Sequence, residues 1–576
     1  MNINHNYKKD EIYQKDIDIR RFKLIESISR KVRFIMKLIN YDSSWKQKGY
    51  ELPDYDRKKL RKRTMANPAW IHFGAGNIFR GFPAAGLQKM LNDGSYDKGV
   101  IVSEGFDYEI IEKAYQPFDD LSLLVVLKSN GSIEKKVIGS VVESIVADAA
   151  DSSEWSRLKE IFRNPSLQLA SFTITEKGYS LVDSKGEYMG FVAKDFETGM
   201  DQPVHIMGKI TSLMYERYIA GSTGTGKLSA LPIALVSMDN CSHNGDRLYS
   251  AVATYAEKWV GNGFAEEGFL RYIKDKGKVA FPWSMIDKIT PRPDDKVKKM
   301  LEEDGFEDTD LIITGKNTYT APFVNSEETE YLVIEDTFPN GRPPFERAGF
   351  LFTDRETVDK VEKMKVCTCL NPLHTALAIF GCLLSYTTIW EEMRDPELVE
   401  LVNRIGYVEG MPVVVNPGVL DPQDFIKAVL ELRLPNPFMP DAPQRIATDS
   451  SQKIPIRFGE TIKAYHRSKD LKVSDLTFIP LTIAGWCRYL MGIDDNGNVF
   501  TPSSDPLLPE LQGYVKDIKL GDKKLDKDVL KPILSNDKIF AVNLYEVGLG
   551  KKIEGMFLEL IAGKGAVRAT LKKYVS

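Results

Sequence analysis

From Ala69 onward the chain alternates short apolar runs with stretches of helical periodicity. Trp70 to Phe73, Val100 to Ser103, Leu167 to Thr175 and Ile233 to Met238 read as strands, and the segments between them read as helices. That alternation is the pattern of a parallel α/β sheet. Leu121 to Leu127 and a second β-rich run through Val142 flank Lys128-Ser129-Asn130-Gly131. An Asn-Gly pair between two strand-like runs predicts an antiparallel hairpin within this part. Beyond about Thr353 the strand signals fade, and helical patterns dominate over Glu356 to Met364, Leu373 to Trp390 and Pro422 to Leu432. Residues 1–66 form an extension rich in Lys, Arg, Asp and Tyr, with one basic amphipathic stretch, Arg30 to Ile39. A helix packed on the main body is the reading of that stretch, ahead of a membrane-surface helix. No internal repeat or low-complexity tract is visible.

At 576 residues the chain exceeds the ~250 to 300 residues at which single cores stop growing, so two substantial domains are expected. Hydrophobic residues at 43% and charged residues at 27% are ordinary for a globular protein and argue against disorder, a fibrous repeat or a membrane protein. The 81 acidic and 77 basic side chains nearly cancel, so no global field draws the protein to nucleic acid or to an anionic membrane, and neither is expected as a partner. The five cysteines are odd in number and lie in apolar or helical stretches, which suits a reducing compartment. With no apolar leader and no run of 18 or more apolar residues, a cytoplasmic location is expected.

The segment Ile71-His-Phe-Gly74-Ala-Gly76-Asn77-Ile78-Phe79-Arg80-Gly81 joins a predicted strand to a predicted helix. Glycines there permit a tight turn and a close approach of the backbone to a pyrophosphate, whose charge the first amides of the helix then meet. Gly-x-Gly alone is a weak signal, and the third glycine falls five residues after the second instead of three. Context strengthens it, because the next strand ends in Glu104, where an acid holds ribose hydroxyls and repels the extra phosphate of NADP. The residues expected at an NAD site are Gly74, Gly76, Asn77, Ile78, Phe79, Arg80 and Glu104. Residues 67–350 are accordingly read as a Rossmann-like dinucleotide-binding domain and 351–576 as a mainly helical substrate and catalytic domain. A second glycine-rich run, Gly221 to Leu228, matches seven positions of a phosphate loop, but Leu228 cannot ligate magnesium and the preceding residues read as helix, so it is taken as a surface loop.

The densest chemistry lies between Val361 and His374. Asn371 and His374, three apart, share a helical face, and Lys365 is near enough in sequence to converge on it. A desolvated lysine can take a proton from an alcohol while asparagine amides polarise the carbonyl that forms; a helix cap with a polar rim is the plainer reading of the same residues. Cys367-x-Cys369 with His374 superficially resembles a metal cluster, but one residue separates the cysteines and no second pair follows, so core thiols are preferred and no metal is expected.

These segments together resemble the mannitol dehydrogenase family of long-chain polyol dehydrogenases. The resemblance runs from about residue 68 to near the carboxy terminus: His72 to Gly81, Phe172 to Tyr179, Ser237 to Gly245, Ser284 to Pro291, the lysine segment, Arg445 to Pro455 and Ala484 to Leu490. It implies that Lys365 is the general base, that Asn240 and Asn371 hold the substrate oxygen, that His374 orients the substrate, and that Glu362 lies near the proton path. It also implies that Arg445, Lys453 and Asp287 join Asn240 in binding substrate. One departure stands out: five residues separate Lys365 from Asn371 where the family usually has four. Either a local bulge restores the geometry, or Lys363 takes the place of Lys365.

The expectation is a metal-independent, NAD-dependent dehydrogenase interconverting a secondary alcohol and a ketone on a linear sugar acid or polyol. Fructuronate and mannonate are preferred on overall resemblance, with mannitol or tagaturonate chemistry as alternatives. From a different class, a non-catalytic nucleotide-sensing protein on the same fold draws its support from the shifted lysine spacing alone. The sequence does not set the oligomeric state.

Overall fold

The computed structural model of the protein describes residues 35–222, 231–526 and 528–576. Residues 1–34 and most of the glycine-rich run Gly221 to Leu228 lie outside these. Of the basic amphipathic stretch only residues 35–39 are described; they include the start of a single 3-10 turn, Leu38–Asn40, and no α-helix. Met36 and Leu38 are buried while Ile35 and Ile39 are exposed, and Met36 bridges Phe306.

Six parallel strands form the central sheet: β1 (Trp70–Phe73), β2 (Val100–Glu104), β3 (Val141–Val146), β4 (Leu169–Phe172), β5 (Ile233–Ser237) and β6 (Val279–Ala280). Their spatial order is β3-β2-β1-β4-β5-β6. The chain therefore reverses direction between β1 and β4, and a crevice opens at the carboxyl ends of those strands. Alternate residues face opposite cores: Ile71, Phe73, Ile101 and Leu235 pack on one side, Trp70, Val102, Leu169 and Val236 on the other. This two-sided burial is why the strands read as continuous apolar runs.

The hairpin forms as expected, with Ser122–Leu127 antiparallel to Ile133–Ile138 and Gly131 left-handed at its tip (φ 83°). The run through Val142 is not one strand, however. At Gly139-Ser140 the chain leaves the hairpin sheet, and β3 pairs parallel with β2 at the edge of the central sheet. Two further strands matter for the site. β7 (Ser284–Asp287) pairs with Tyr331–Glu335, and β8 (Phe323–Glu327) pairs parallel with Ser122–Leu127.

After the strand Leu351–Thr353 the chain is helical. Residues Arg355–Leu383 run as one helical rod of 29 residues, long and apolar enough to cross a membrane by length and composition; 78% of its most apolar window is packed inside the protein. Its parts are α1 (Arg355–Met364), a π-helical turn (Lys365–Cys369) and α2 (Asn371–Leu383). The helical pattern read over Leu373 to Trp390 breaks at Ser385, which is left-handed, and resumes at Ile389–Glu392 behind a Thr388–Glu391 capping box. Leu373, Phe380, Trp486 and Phe557 belong to the core of this part.

One buried side chain fixes the rear of the central sheet. Arg217, 0% exposed, donates to the carbonyl oxygens of Phe162, Asn164, Leu167, Leu231 and Pro232 at 2.8–3.0 Å, using all five guanidinium donors. Those carbonyls lie just before β4 and β5, the strands whose far ends carry the cavity loops. Arg217→Met strands several buried acceptors, and we expect it to lower stability by about 3 kcal/mol or more. Arg217→Lys, with three donors, recovers only part. Thermal unfolding reads both, and a methionine variant as stable as the parent contradicts this role.

Candidate active site

The turn after β1 is built for close approach. Gly74 has φ 106°, and a Cβ there would lie 2.1 Å from the Thr173 carbonyl oxygen at the end of β4. At Gly76 a Cβ would meet nothing within 4 Å, so the space above the turn is open to a ligand. Glu104 stands at the end of β2 as the sequence indicates. One carboxylate oxygen accepts from Ala75 N at 2.8 Å, the other from Phe106 N at 2.9 Å and Asp107 N at 3.2 Å. Burial pushes this carboxyl up against the pull of the three amides, with a net shift upward.

Gly76, Asn77 and Ile78 are partly exposed along the turn, and Ile78 reaches the cavity described below. Phe79 and Arg80, expected with them, turn inward. The Phe79 ring is 0% exposed and stacks on His72 with centroids 4.0 Å apart. The buried Arg80 guanidinium donates to the Ala321 carbonyl, Thr320 Oγ1 and Asn77 Oδ1. The helix starting at Asn77 explains the difference, since its third and fourth residues face the protein body.

At the carboxyl ends of the strands a cavity of about 440 Å³ lies between the sheet-bearing and helical parts. Asn240 and Asp287 line one wall, and Lys365, Asn371, His374 and Arg433 line the other. Asp239 sets the adjoining loop. Its carboxylate accepts from Ile174 N, Thr175 N and the Tyr179 hydroxyl, which holds Thr175 at φ 65° on the cavity rim.

The extra residue between Lys365 and Asn371 sits in the π turn, closed by Leu370 N donating to the Lys365 carbonyl at 3.1 Å. A π turn takes one more residue than an α turn, so an insertion is absorbed without unwinding the rod. Leu370 then leaves helical geometry and Asn371-Pro372 opens α2, where a proline in the first turn is tolerated. Lys365, not Lys363, thereby points into the cavity. Its Nζ lies 2.8 Å from Asp287 Oδ1 and 3.3 Å from both Asn240 Oδ1 and the Ile286 carbonyl oxygen. Lys363 is exposed and pairs with Asp359 at 2.6 Å.

Asp287 is shared. Arg433 Nη1 lies 2.7 Å from Asp287 Oδ2, and the same guanidinium donates to both Glu327 oxygens at 2.7 and 2.8 Å. Burial alone would raise the Asp287 carboxyl, but Lys365 and Arg433 outweigh it and hold it below the usual carboxylate range. His374 is pushed down to about 4, first by burial and then by the cations Arg457, Arg445 and Arg433, against the pull of Asp441. It is neutral near pH 7, and its buried Nε2, 3.5 Å from Asp441, has no hydrogen-bond partner among the described residues.

Three expected residues stand elsewhere. Glu362 is half-buried one turn before Lys365 and does not line the cavity. Arg445 is 63% exposed and bonded to Asp441, and the Lys453 amine donates to the Thr448 carbonyl; neither lines the cavity. Conversely, Arg433 and Glu327 belong to no motif read from the sequence, and the buried cavity lysine Lys288, paired with Glu330 at 2.8 Å, lies in the Ser284 to Pro291 segment but was given no role there. A count of buried carboxylates needing cations could have found Arg433, but only with the fold in hand. Cys369 packs against the Pro422 carbonyl, and no group of three or more metal-ligating side chains occurs among the described residues.

Comparison with known proteins places this geometry. Residues 68–347 match the model of the mannitol dehydrogenase Rossmann domain, and residues 357–556 that of the mannitol dehydrogenase C-terminal domain. The chain is 53% identical over 546 residues to the D-mannonate oxidoreductase of Thermotoga maritima, covering 94% of this chain and 99% of that protein. It is 29% identical to a mannitol 2-dehydrogenase of Pyrenophora tritici-repentis, over 86% of this chain and 81% of that one. Among solved structures, the Pseudomonas fluorescens mannitol 2-dehydrogenase ternary complex with NAD and D-mannitol superposes with a TM-score of 0.63 at 25% identity, covering 92% of this chain and 97% of that one.

Arg433→Leu leaves Asp287 and Glu327 short of a buried partner, and we expect it to cost about 3–5 kcal/mol. The pH dependence has a definite sign. With its folded-state carboxyl depressed, Asp287 contributes stability that is complete above the ordinary carboxylate range and lost as pH falls below it. Without Arg433 the depression shrinks, so acid unfolding should begin at higher pH in the variant. Identical acid-unfolding midpoints by circular dichroism would remove Arg433 from this account.

Proposed function

The chain belongs to the mannitol dehydrogenase family, and from that premise we propose that it interconverts D-fructuronate and D-mannonate with NAD as cofactor. The observation that carries the substrate is the 53% identity, over nearly the whole of both chains, to a D-mannonate oxidoreductase. When bound, a nicotinamide supplies or accepts hydride. The Gly74–Gly76 backbone would hold its pyrophosphate at the start of the Asn77 helix, with Glu104 beside the ribose. Burial and three amide bonds leave one Glu104 oxygen with acceptor capacity, and the negative end of this side chain disfavours an added phosphate. NAD is therefore preferred over NADP. The five thiols carry no disulfide, which suits the cytoplasm.

In the proposed mechanism Lys365 carries the proton. In the alcohol-oxidising direction its amine takes the hydroxyl proton as hydride leaves the same carbon; in ketone reduction the ammonium returns it. Asp287 and Asn240 fix where the Lys365 nitrogen stands. The side-chain amides of Asn240 and Asn371 polarise the carbonyl oxygen. His374, neutral and with a free ring nitrogen, serves a substrate hydroxyl. Enclosure between the two parts excludes water that would otherwise solvate the alkoxide. The nucleotide-sensor reading drew on the extra residue before Asn371, and the π turn accounts for that residue while leaving Lys365 at the cavity.

Assays of NADH and NADPH oxidation with fructuronate, tagaturonate and fructose test the assignment. Fructuronate with NADH should give the highest kcat/KM, and a clear preference for fructose or for NADPH rejects it. Lys365→Ala should lower turnover by at least ~10²-fold, the lower end for a positioned acid or base, with NADH affinity nearly unchanged. Lys363→Ala should be near normal. The reverse pattern would transfer the role to Lys363.

A further inference from the structure

Among the described residues four arginines are buried, and they are not equally compensated. Arg433 faces two carboxylates, and Arg217 spends all five donors on carbonyl oxygens. Arg488 donates to the carbonyls of Ile493 and Asp494 and lies in the field of the Asp494 and Asp495 carboxylates. Arg80 differs from all three. It is 1% exposed, yet its Nε has no hydrogen-bond partner and no carboxylate stands within ion-pair distance among the described residues.

This unmatched cation sits under the glycine turn. Its Nη2 donates to Asn77 Oδ1 at 2.8 Å and Thr320 Oγ1 at 2.6 Å, and its Nη1 to the Ala321 carbonyl at 2.8 Å. The guanidinium also lies 5.5 Å from the Tyr115 ring, whose hydroxyl donates to the Ala75 carbonyl of the same turn at 3.0 Å. A guanidinium has donors only, so the Asn77 atom that meets it must be the oxygen. The amide nitrogen is thereby turned away from Arg80, and Asn77 Nδ2 has no hydrogen-bond partner among the described residues. Asn77 is half-exposed and follows Gly76, above which the space is open.

We infer that Arg80 is a positioning residue of the cofactor site, fixing the Asn77 amide so that Nδ2 donates to the pyrophosphate of the dinucleotide. The inference rests on the nicotinamide-cofactor reading above, and NAD and NADP share the group concerned. A buried cation without an anion is unfavourable until a ligand brings one, and the pyrophosphate supplies the charge that the protein withholds. Thr320 and Ala321, just before β8, hold the other side of the guanidinium, so it stays in place as the half-exposed asparagine meets the ligand. Arg80 thus acts on the cofactor without touching it.

The test compares wild type, Asn77→Ala, Asn77→Asp, Arg80→Lys and the Asn77→Ala/Arg80→Lys double variant. Thermal unfolding is followed without cofactor, and calorimetry measures NADH and ADP-ribose, which keeps the pyrophosphate and lacks the nicotinamide. Asn77→Ala removes a donor to a charged group and should weaken both ligands by about tenfold or more. Asn77→Asp gives Arg80 a carboxylate but turns a like charge towards the phosphates. It should melt no lower than wild type and bind both ligands more weakly than Asn77→Ala does. An asparagine that served the fold alone would shift the melting temperature and leave both affinities unchanged. Arg80→Lys replaces the two-armed fork by a single nitrogen and should weaken NADH severalfold, with no further loss when Asn77 is already alanine. Unchanged affinities in Asn77→Asp, or an Arg80→Lys loss as large in the Asn77→Ala background as alone, overturns the inference while the cofactor reading stands. If wild type binds neither ligand, the cofactor reading falls and this inference falls with it.

Discussion

Four charges buried where the sheet-bearing and helical parts meet are the constraint on which the site depends. Asp287 at the end of β7 and Glu327 at the end of β8 come from the first part, and Lys365 and Arg433 come from the second. Each contact among them crosses the junction. Taking such charges from water is expensive, and the set is tolerable because two cations face two carboxylates with nearly every lone pair and donor used. Misalignment of the two parts would leave a charge without its partner, so the electrostatics select one docking geometry. That geometry puts the Lys365 nitrogen at the cavity.

The same contrast of matched and unmatched polar groups separates support from chemistry. Arg217 uses all five donors and Arg433 makes four hydrogen bonds to buried groups, and those side chains hold structure. The His374 ring nitrogen lacks such a partner among the described residues, and His374 lines the cavity. A protein tolerates unmatched buried groups where a ligand completes them.

Legibility in the sequence followed the range of the interactions. β1, β2, β5 and the glycine turn were readable because a doubly buried strand must be apolar along its length and a tight turn must have glycine. Lys365, Asn371 and His374 were readable because they lie within ten residues of one another. The fate of the extra residue was not: periodicity shows an insertion but not whether a π turn or an unwound helix absorbs it. Phe79 and Arg80 were misread because pattern cannot show which side of a five-residue helix faces inward. Arg433 was missed because its partners, Asp287 and Glu327, lie more than 100 residues away. Long-range charge matching leaves no local periodic trace.

The central claim is that Asp287 acts on the reaction through Lys365, by fixing where its nitrogen stands. A double-mutant cycle on mannonate oxidation measures this directly, using single-turnover rates for Asp287→Asn, Lys365→Ala and the double variant with NAD prebound. Groups that act as one unit are strongly non-additive. The account predicts that the double variant is no slower than Lys365→Ala alone; losses that multiply would show that Asp287 serves the reaction independently of the lysine and would contradict it.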